Sequence, residues 1–231
     1  NMTISKKLLI KHKKNTFIPT GTSDLLIESI KKKLKLKGKV LDLGAGSGYV
    51  GLKLLDLFKD KFNLFASDIG KSSAQIIKSN AKINKKYIIV KTGSLFKPWK
   101  NYKFDFIIND VSGISEDVAK ISPWFKNVSC KSGKDGTKLT VQIIKESKKL
   151  LNKKGIICFP ILSFAYENKV LDIAKKQFKY VKKIGYKEWL LPKEMLSKVL
   201  ILEKLKKKGY INFKEKFGLV TWTTKIYIAY N

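Results

Sequence analysis

The sequence contains no arginine, so the 49 basic residues that it carries besides one histidine are all lysines. Against 18 acidic residues they give a net charge of +31. Surfaces that read phosphates and bases commonly use arginine, because its planar guanidinium binds such groups through two bonds. Two interpretations remain open, a nucleic-acid-binding surface and a compositional bias of the chain. The absence of arginine favours the bias.

Other scarcities exclude several classes of protein. Two cysteines, Cys130 and Cys158, are too few for a disulfide framework or a zinc site. The single histidine, His12, supports neither a Ser-His-Asp arrangement nor a histidine cluster, so no metal site is expected. No apolar run reaches the roughly 18 residues of a membrane span, and the N-terminal apolar stretch is too short for a secretory signal. We therefore expect a cytoplasmic protein with no membrane partner.

What the sequence does contain is a regular alternation of strand-like and helix-like patterns. The chain has 231 residues, 44% of them hydrophobic, which is enough for one sizeable core. The patterns predict strands at 39–43, 62–67, 87–91, 104–109, 156–161, 180–186 and 219–230, and helices at 22–34, 49–58, 72–83, 137–151, 167–178 and 193–208. This alternation predicts a parallel sheet with helices on both faces. We divide the chain into an N-terminal segment and helix, 1–36, and a main domain, 37–231, with a helical insertion at about 192–209.

The most informative segment is the glycine-rich turn that follows the first predicted strand. The strand runs directly into Gly44, Gly46 and Gly48, and a helical pattern begins at once. Glycine lets the backbone pass close to a ligand, and the free N–H groups of the helix start favour an anionic group. The Gly-x-Gly-x-Gly spacing differs from the Gly-x-Gly-x-x-Gly of dinucleotide-binding proteins. Asp42 lies at the turn, and Asp68 ends the next strand, where an acid is placed to accept bonds from two ribose hydroxyls; the alternative is that both are ordinary strand-end residues.

These residues resemble the class I S-adenosylmethionine-dependent methyltransferases, and within them the HemK-type group of release-factor glutamine methyltransferases and related N-methyltransferases. The resemblance spans about 17–159 and depends on four segments: Phe17-Ile-Pro-Thr-Gly-Thr-Ser-Asp-Leu-Leu, the glycine turn, Phe104-Asp-Phe-Ile-Ile-Asn109, and Ser132-Gly-Lys-Asp-Gly136 followed by a helix. It implies a Rossmann-like, seven-stranded, mostly parallel α/β sheet that is flanked by helices and has an antiparallel last strand. It also implies that S-adenosylmethionine is the cofactor.

The resemblance assigns roles to the positions that match. The glycines would flank the methionine part of the cofactor, Asp68 would hold the ribose, and Ile69 would pack on the adenine. Ser94 stands where the family usually has an acid, so a bond to the adenine amino group would lack charge assistance. The implied cofactor-binding residues are Asp42, Gly44, Gly46, Gly48, Asp68, Ile69, Ser94, Leu95 and Asn109.

The chain departs from the family at the catalytic tetrad. The family's Asn-Pro-Pro-Tyr is replaced here by Asn109-Asp110-Val111-Ser112. In the family the Asn oxygen and a following carbonyl orient the substrate nitrogen, and the Tyr ring stacks on a planar amide or base. Methyl transfer depends on such alignment. Asn109 is retained without the prolines and the ring, and we assign Asn109 and Asp110 as the candidate catalytic residues.

Three interpretations of this departure remain open. In the first, a ring is supplied from elsewhere, with Trp124 or Phe125 as the nearest candidates. In the second, the substrate is not a planar nitrogen, and Asp110 acts as a general base for an oxygen or amine nucleophile. In the third, the domain binds the cofactor with little activity of its own. The predicted function is methyl transfer to a nitrogen of a protein or RNA acceptor, with a small-molecule methyltransferase or a cofactor-binding module as alternatives, and a monomer is favoured.

A second group of aromatic residues lies near the inserted helix. It comprises Trp189, Tyr210, Phe213, Phe217 and Trp222. Lysines interleave with these rings, as in surfaces that stack bases. Strands ordinarily carry aromatic residues, and this second interpretation is favoured. The inserted helix itself is interpreted either as a cap of the sheet or as a lid that selects the substrate.

Overall fold

The computed structural model describes residues 8–12, 20–111, 113–126 and 128–231. Within these ranges the chain forms, in order, α1 (Gly21–Lys33), β1 (Lys39–Leu43), α2 (Tyr49–Leu57), β2 (Asn63–Asp68), α3 (Lys71–Ile83), β3 (Ile88–Thr92), β4 (Phe104–Asn109), α4 (Glu116–Ile121), α5 (Lys138–Ser147), β5 (Leu151–Leu162), α6 (Glu167–Gln177), β6 (Tyr180–Leu190), α7 (Lys193–Leu196), α8 (Val199–Lys207), β7 (Lys214–Lys216) and β8 (Leu219–Tyr230). Among the described residues, no helix combines the length and the hydrophobicity needed to cross a membrane.

The strands form one sheet in the order β3-β2-β1-β4-β5-β8-β6. The short β7 pairs with the first residues of β8, from Leu219 to Thr221. The first five of these strands are parallel, and β8 runs antiparallel to both β5 and β6. The predicted fold class is therefore confirmed, including its antiparallel last strand. The short β7 is an addition that the sequence pattern did not predict.

The strand order reverses at β1, which positions the functional site. From β1 the chain moves outward to β2 and β3 and then returns to place β4 on the other side of β1. Leu43, at the end of β1, is in register with Ser67 of β2 and Asn109 of β4. In open α/β sheets ligands bind at such a switch point, outside the carboxyl ends of the strands. The glycine turn and the Asn109 segment leave the sheet at this place.

Hydrophobic side chains pack on both faces of the sheet, because successive residues of a strand point to opposite sides. On one face Leu41 packs in a cluster that includes Ile143 of α5 and Val170 of α6. On the other face Val40 packs in a cluster that includes Leu26 of α1 and further residues of α2 and α3. Burial on both faces is typical of parallel strands in α/β proteins.

A third cluster lies beyond the end of the sheet and includes the inserted segment. Met195 of α7 and Leu202 of α8 are fully buried there, together with Phe164 and Trp222. The predicted single helix 193–208 is two helices, with Ser197 at the break. Serine lowers helix propensity because its hydroxyl competes for backbone hydrogen bonds. The insertion therefore extends the core and is packed against β8.

Two further differences from the predicted elements concern boundaries. The helix predicted at 137–151 ends at Ser147, and after one 3-10 turn the chain enters β5 at Leu151. Gly155 lies within this strand. The segment predicted to resemble the family's pre-domain region, 17–26, lies partly outside the described residues, which resume at Thr20.

Candidate active site

The glycine turn adopts backbone conformations that side chains with a Cβ disfavour. The φ angles are 68° at Gly44, 57° at Gly46 and 80° at Gly48. A Cβ on Gly44 would lie 2.4 Å from Cγ2 of Val111, and one on Gly48 would lie 3.2 Å from Cγ2 of Ile77. Gly44 therefore lets the loops after β1 and β4 approach each other, while Gly48 lets α2 start close to α3.

A clamp from α3 fixes the outer side of this turn. The side-chain amide of Asn80, which is fully buried, donates to the carbonyl of Ser47 at 2.8 Å and to that of Lys11 at 2.9 Å. Its oxygen accepts from the N–H of Lys11 at 2.9 Å. One amide thus joins the glycine turn to the segment before α1, and removing it would leave buried backbone groups unpaired.

Asp68 ties the turn to the end of β2. Its Oδ2 accepts a hydrogen bond from the N–H of Gly46 and its Oδ1 accepts one from the N–H of Gly70, each at 3.0 Å. Each carboxylate oxygen has a second lone pair, so the group retains acceptor capacity for a ligand. Next to it, the side chain of Ile69 is 74% exposed, which is unusual for isoleucine and provides an apolar platform beside the acid.

Asp42 is buried beneath the turn. Its Oδ2 accepts from the N–H of Gly51 in α2 at 2.9 Å. Burial raises its pKa to about 7, the bond from Gly51 opposes the rise, and the charges of Asp110 and Asp68 add to it. The chief contact of Asp42 is therefore with the protein's own helix.

A cleft of about 560 Å³ lies over these groups. The predicted residues that line it are Asp42, Gly44, Gly46, Asp68, Ile69, Ser94, Leu95 and Asp110. The structure thus brings together most of the predicted cofactor-binding residues. Gly48 and Asn109 do not line the cleft; Gly48 caps α2, and Asn109 lies beneath the loop. A carboxylate, an exposed apolar side chain and a glycine turn fit the ribose, adenine and amino-acid parts of S-adenosylmethionine, respectively.

Asn109 is buried and its oxygen is occupied within the chain. Its side chain Oδ1 accepts a hydrogen bond from the N–H of Val111 at 2.9 Å. Its Nδ2 is buried and finds no hydrogen-bond partner in the described part of the chain. The family has proline at the position of Val111, and proline has no N–H. The replacement therefore supplies a donor that takes one of the two acceptor positions of the oxygen to which the resemblance gives a substrate-orienting role.

Asp110 lies where the cleft meets a second cavity, and it lines both. Its Oδ2 accepts a hydrogen bond from the hydroxyl of Ser23 in α1 at 2.6 Å. Burial raises the pKa of Asp110 to about 6; the bond from Ser23 opposes this and the charge of Asp24 adds to it. Ser112, the last residue of the replaced tetrad, lies outside the described residues.

The second cavity, about 250 Å³, is walled by tryptophans and is called here the tryptophan pocket. Its rings are Trp124, Trp189 and Trp222, with Phe125 beside them. The centroid of Trp222 lies 5.1 Å from that of Trp124 and 6.0 Å from that of Trp189. Trp189 is oriented by a hydrogen bond from its Nε1 to Oγ1 of Thr224 at 3.0 Å. Trp124 and Phe125, the predicted replacement rings, therefore line the same pocket as Asp110. Trp189 and Trp222, for which the sequence favours ordinary strand packing, line it as well.

The site is acidic although the chain is strongly basic. Asp42, Asp68 and Asp110 line the cleft, and Lys131 is the one cation among its described lining residues. Asp110 is the one charged residue among those that line the tryptophan pocket. Such a potential favours a cationic ligand over a phosphate.

Several lining residues escaped the sequence analysis. Ser23 lies in the first turn of α1, and its hydroxyl donates a hydrogen bond to Asp110. Gly21 lies under Trp189, where a Cβ would be 2.6 Å from the ring. Both residues make these contacts with segments that are distant in the sequence; Ser23 and Asp110, for example, are 87 positions apart. No local pattern signals such contacts.

Comparison with known proteins agrees with this geometry. The model of the family described as methyltransferase small domain matches residues 18–111. The release factor glutamine methyltransferase of Borreliella burgdorferi is 31% identical over 181 residues, 74% of this chain and 62% of that protein. Its counterpart from Aquifex aeolicus is 29% identical over 161 residues, 66% of this chain and 57% of that protein. The chain belongs to the class I methyltransferases of the HemK type.

A solved structure shows the same fold in this class. The 16S rRNA N2 G1207 methyltransferase of T. thermophilus, in complex with AdoMet and guanosine, superimposes with a TM-score of 0.56 at 14% identity, covering 94% of this chain and 45% of that one. This HemK-type chain spans about three fifths of the two curated relatives named above, 57% and 62% of their lengths.

Proposed function

We propose that this chain is an S-adenosylmethionine-dependent methyltransferase that methylates a nitrogen atom of a protein. The observation that carries the proposal is the meeting of the cleft and the tryptophan pocket at Asp110. Bound in the cleft, the cofactor supplies an electrophilic methyl group. The N–H groups of the glycine turn would hold its carboxylate, Asp68 its ribose hydroxyls and Ile69 its adenine ring.

The tryptophan pocket would receive the acceptor. Its aromatic walls exclude water and restrict the orientation of a side chain that enters, which is the main protein contribution to a displacement reaction. Asp110, which lines both the pocket and the cleft, is the carboxylate available there as a proton acceptor, and its raised pKa suits a general base near neutral pH. Asn109 would support this loop through its bond to Val111.

A protein acceptor is proposed over RNA for two reasons. The related proteins named above are release factor glutamine methyltransferases. No lysine lies among the described residues that line the tryptophan pocket, although a nucleic-acid acceptor would bring phosphates close to it. An RNA acceptor would show a steep loss of affinity with added salt, because counterions are released from the phosphates. The expected cytoplasmic location, the monomeric state and the domain division stay predictions.

Calorimetry with S-adenosylmethionine tests the cofactor half of the proposal. Asp68→Ala removes the ribose acceptor and the bonds from the N–H groups of Gly46 and Gly70, so we expect binding to weaken by roughly tenfold or more. The matched control is Asp117→Ala, since Asp117 lies on α4 in a pair with Lys120 and does not line either cavity. The proposal fails if the unmodified chain binds neither S-adenosylmethionine nor its demethylated product.

A further inference from the structure

We propose that the acceptor is a primary amine on an alkyl chain, as in a lysine side chain of a protein, and that the tryptophan pocket with Asp110 recognises it as a cation. The inference rests on the proposed function and narrows it to one class of nitrogen. It separates this chain from the glutamine-directed relatives.

The charged hydrogen-bonding group in the described lining of the pocket is the carboxylate of Asp110, and the other polar side chains there include the neutral hydroxyls of Thr20 and Thr22. Asn109 lines neither this pocket nor the cleft. For Asp110, Ser23 is the hydrogen-bond donor found in the described part of the chain. A carboxylate binds the N–H groups of an ammonium more strongly than those of a neutral amide, because both partners are then charged.

The charge balance favours a cation. Asp110 is partly buried, and no lysine lies among the described residues that line the tryptophan pocket. A carboxylate that is partly withdrawn from water and has no counter-ion is destabilised unless it is protonated or paired. A ligand that carries a positive charge would pair with it, whereas a neutral amide would leave the charge unbalanced.

The walls of the pocket suit the same ligand. Trp124, Trp189 and Trp222 present aromatic rings, and tryptophan is the side chain that attracts an ammonium group most strongly. The methylene groups of an alkyl amine would pack on these rings, as lysine stems do on apolar surface. The pocket therefore offers an apolar channel with one negative group at its inner end.

The same arrangement allows the proton to leave. An ammonium nitrogen has no lone pair, so the amine must give up one proton before it reacts. A pocket of low polarity lowers the pKa of the amine and raises that of the acid, which brings the two closer together. The nitrogen lone pair then forms the bond to the methyl carbon, the electron pair of the broken carbon–sulfur bond stays on sulfur, and the proton given up is held by Asp110.

The charged and titratable groups around Asp110 set the pH range of this behaviour. Asp24 of α1 raises its pKa, and Asp110 in turn raises the pKa of Asp42 in β1 and of the Cys158 thiol in β5. Each of these neighbours is acidic or neutral, so protonation of Asp110 is favoured as the pH falls. Amine binding should therefore weaken below about pH 6, where Asp110 loses its charge.

Tryptophan fluorescence gives a readout that does not depend on turnover. Three of the four tryptophans line the pocket, and the fourth, Trp99, is buried in the core with its Nε1 bound to Ser67 at 2.8 Å. The probes are n-butylamine and butyramide, which have similar shapes and differ in charge. At pH 7.5 we expect the amine to bind about tenfold or more tightly than the amide, with the difference lost at pH 5.

The variant that isolates the charge is Asp110→Asn, which keeps the shape of the side chain. We expect it to weaken n-butylamine binding by about tenfold or more and to leave butyramide binding equal or tighter. Asp117→Asn is the matched control and should change neither. Thermal unfolding of each variant verifies that the fold is retained. Transfer of labelled methyl to a Gly-Gly-Lys-Gly-Gly peptide, and not to Gly-Gly-Gln-Gly-Gly, would agree with the binding data.

The outcomes separate this inference from the proposed function. Tighter binding of butyramide than n-butylamine overturns it, as does an Asp110→Asn variant that binds the amine normally or a failure of both probes to bind. If Asp110→Asn instead weakens binding of the demethylated cofactor product, Asp110 belongs to the cofactor cleft and the inference is also overturned. Failure of the unmodified chain to bind the cofactor would remove the proposed function even where the amine titration succeeds.

Discussion

Replacing Gly44 with alanine should destabilise the fold by about 2–5 kcal/mol, from two separable contributions. The first is the left-handed backbone at φ 68°, which costs a residue with a Cβ about 1–2 kcal/mol. The second is overlap, because the new Cβ would lie 2.4 Å from Cγ2 of Val111, and overpacking costs about 1–3 kcal/mol. Valine is stiff about χ1, so it cannot relieve the overlap by a small rotation.

A control within the same chain separates the two contributions. Gly209 has φ 74°, and a Cβ on it would meet no heavy atom within 4 Å. Gly209→Ala should therefore show the backbone cost alone, about 1–2 kcal/mol. Urea unfolding measures both variants, and Gly44→Ala combined with Val111→Ala should recover most of the difference between them. Equal destabilisation by the two alanines would refute the claim that Gly44 is needed for the approach of the loops after β1 and β4.

Three further predictions concern the same region. Burial raises the pKa of Asp42 from 3.8 to about 7, so the folded state holds a proton that the unfolded state releases in this pH range. The free energy of unfolding should therefore fall as the pH rises from about 4 to 7. Asp42→Asn, which keeps an oxygen for Gly51, should flatten this slope in urea titrations at several pH values. Val111→Pro removes the N–H that donates to Oδ1 of Asn109, so it should lower the free energy of unfolding by about 1 kcal/mol in the same titrations, and an unchanged value would contradict this account. Asn80→Ala breaks the clamp on the glycine turn and should lower the unfolding free energy by about 1–3 kcal/mol in the same urea assay, whereas a neutral effect would show that the clamp is dispensable.

The sequence predicts the cofactor cleft well because its parts are locally encoded. A strand, three glycines and a helix in succession fix the turn at Gly44, and the end of the next strand places Asp68 beside it through parallel pairing. These relations need only strand periodicity and the rule that ligands bind at carboxyl ends.

The acceptor side could not be predicted in this way. Its walls come from three separate segments, a turn after α4 that holds Trp124, the end of β6 with Trp189, and β8 with Trp222. The hydrogen bond to Oδ1 of Asn109 comes from the backbone N–H of Val111. A comparison of motifs shows this donor only as the absence of a proline. Both properties arise from tertiary contacts, for which the local pattern carries no signal.

Because β8 lies beside β6 in the sheet, Trp222 of β8 and Trp189 of β6 meet in the tryptophan pocket. These two walls of the pocket therefore come from a part of the chain other than the one that forms the cofactor cleft. Groups of the cofactor cleft such as Asp42 and Asp68 lie inside the region that matches the family model, residues 18–111, whereas Trp189 and Trp222 lie far beyond it. Under the proposed function, substitutions in the last third of the chain would alter acceptor choice and leave cofactor recognition intact. A lineage of such proteins would then inherit one half of the reaction and acquire the other independently.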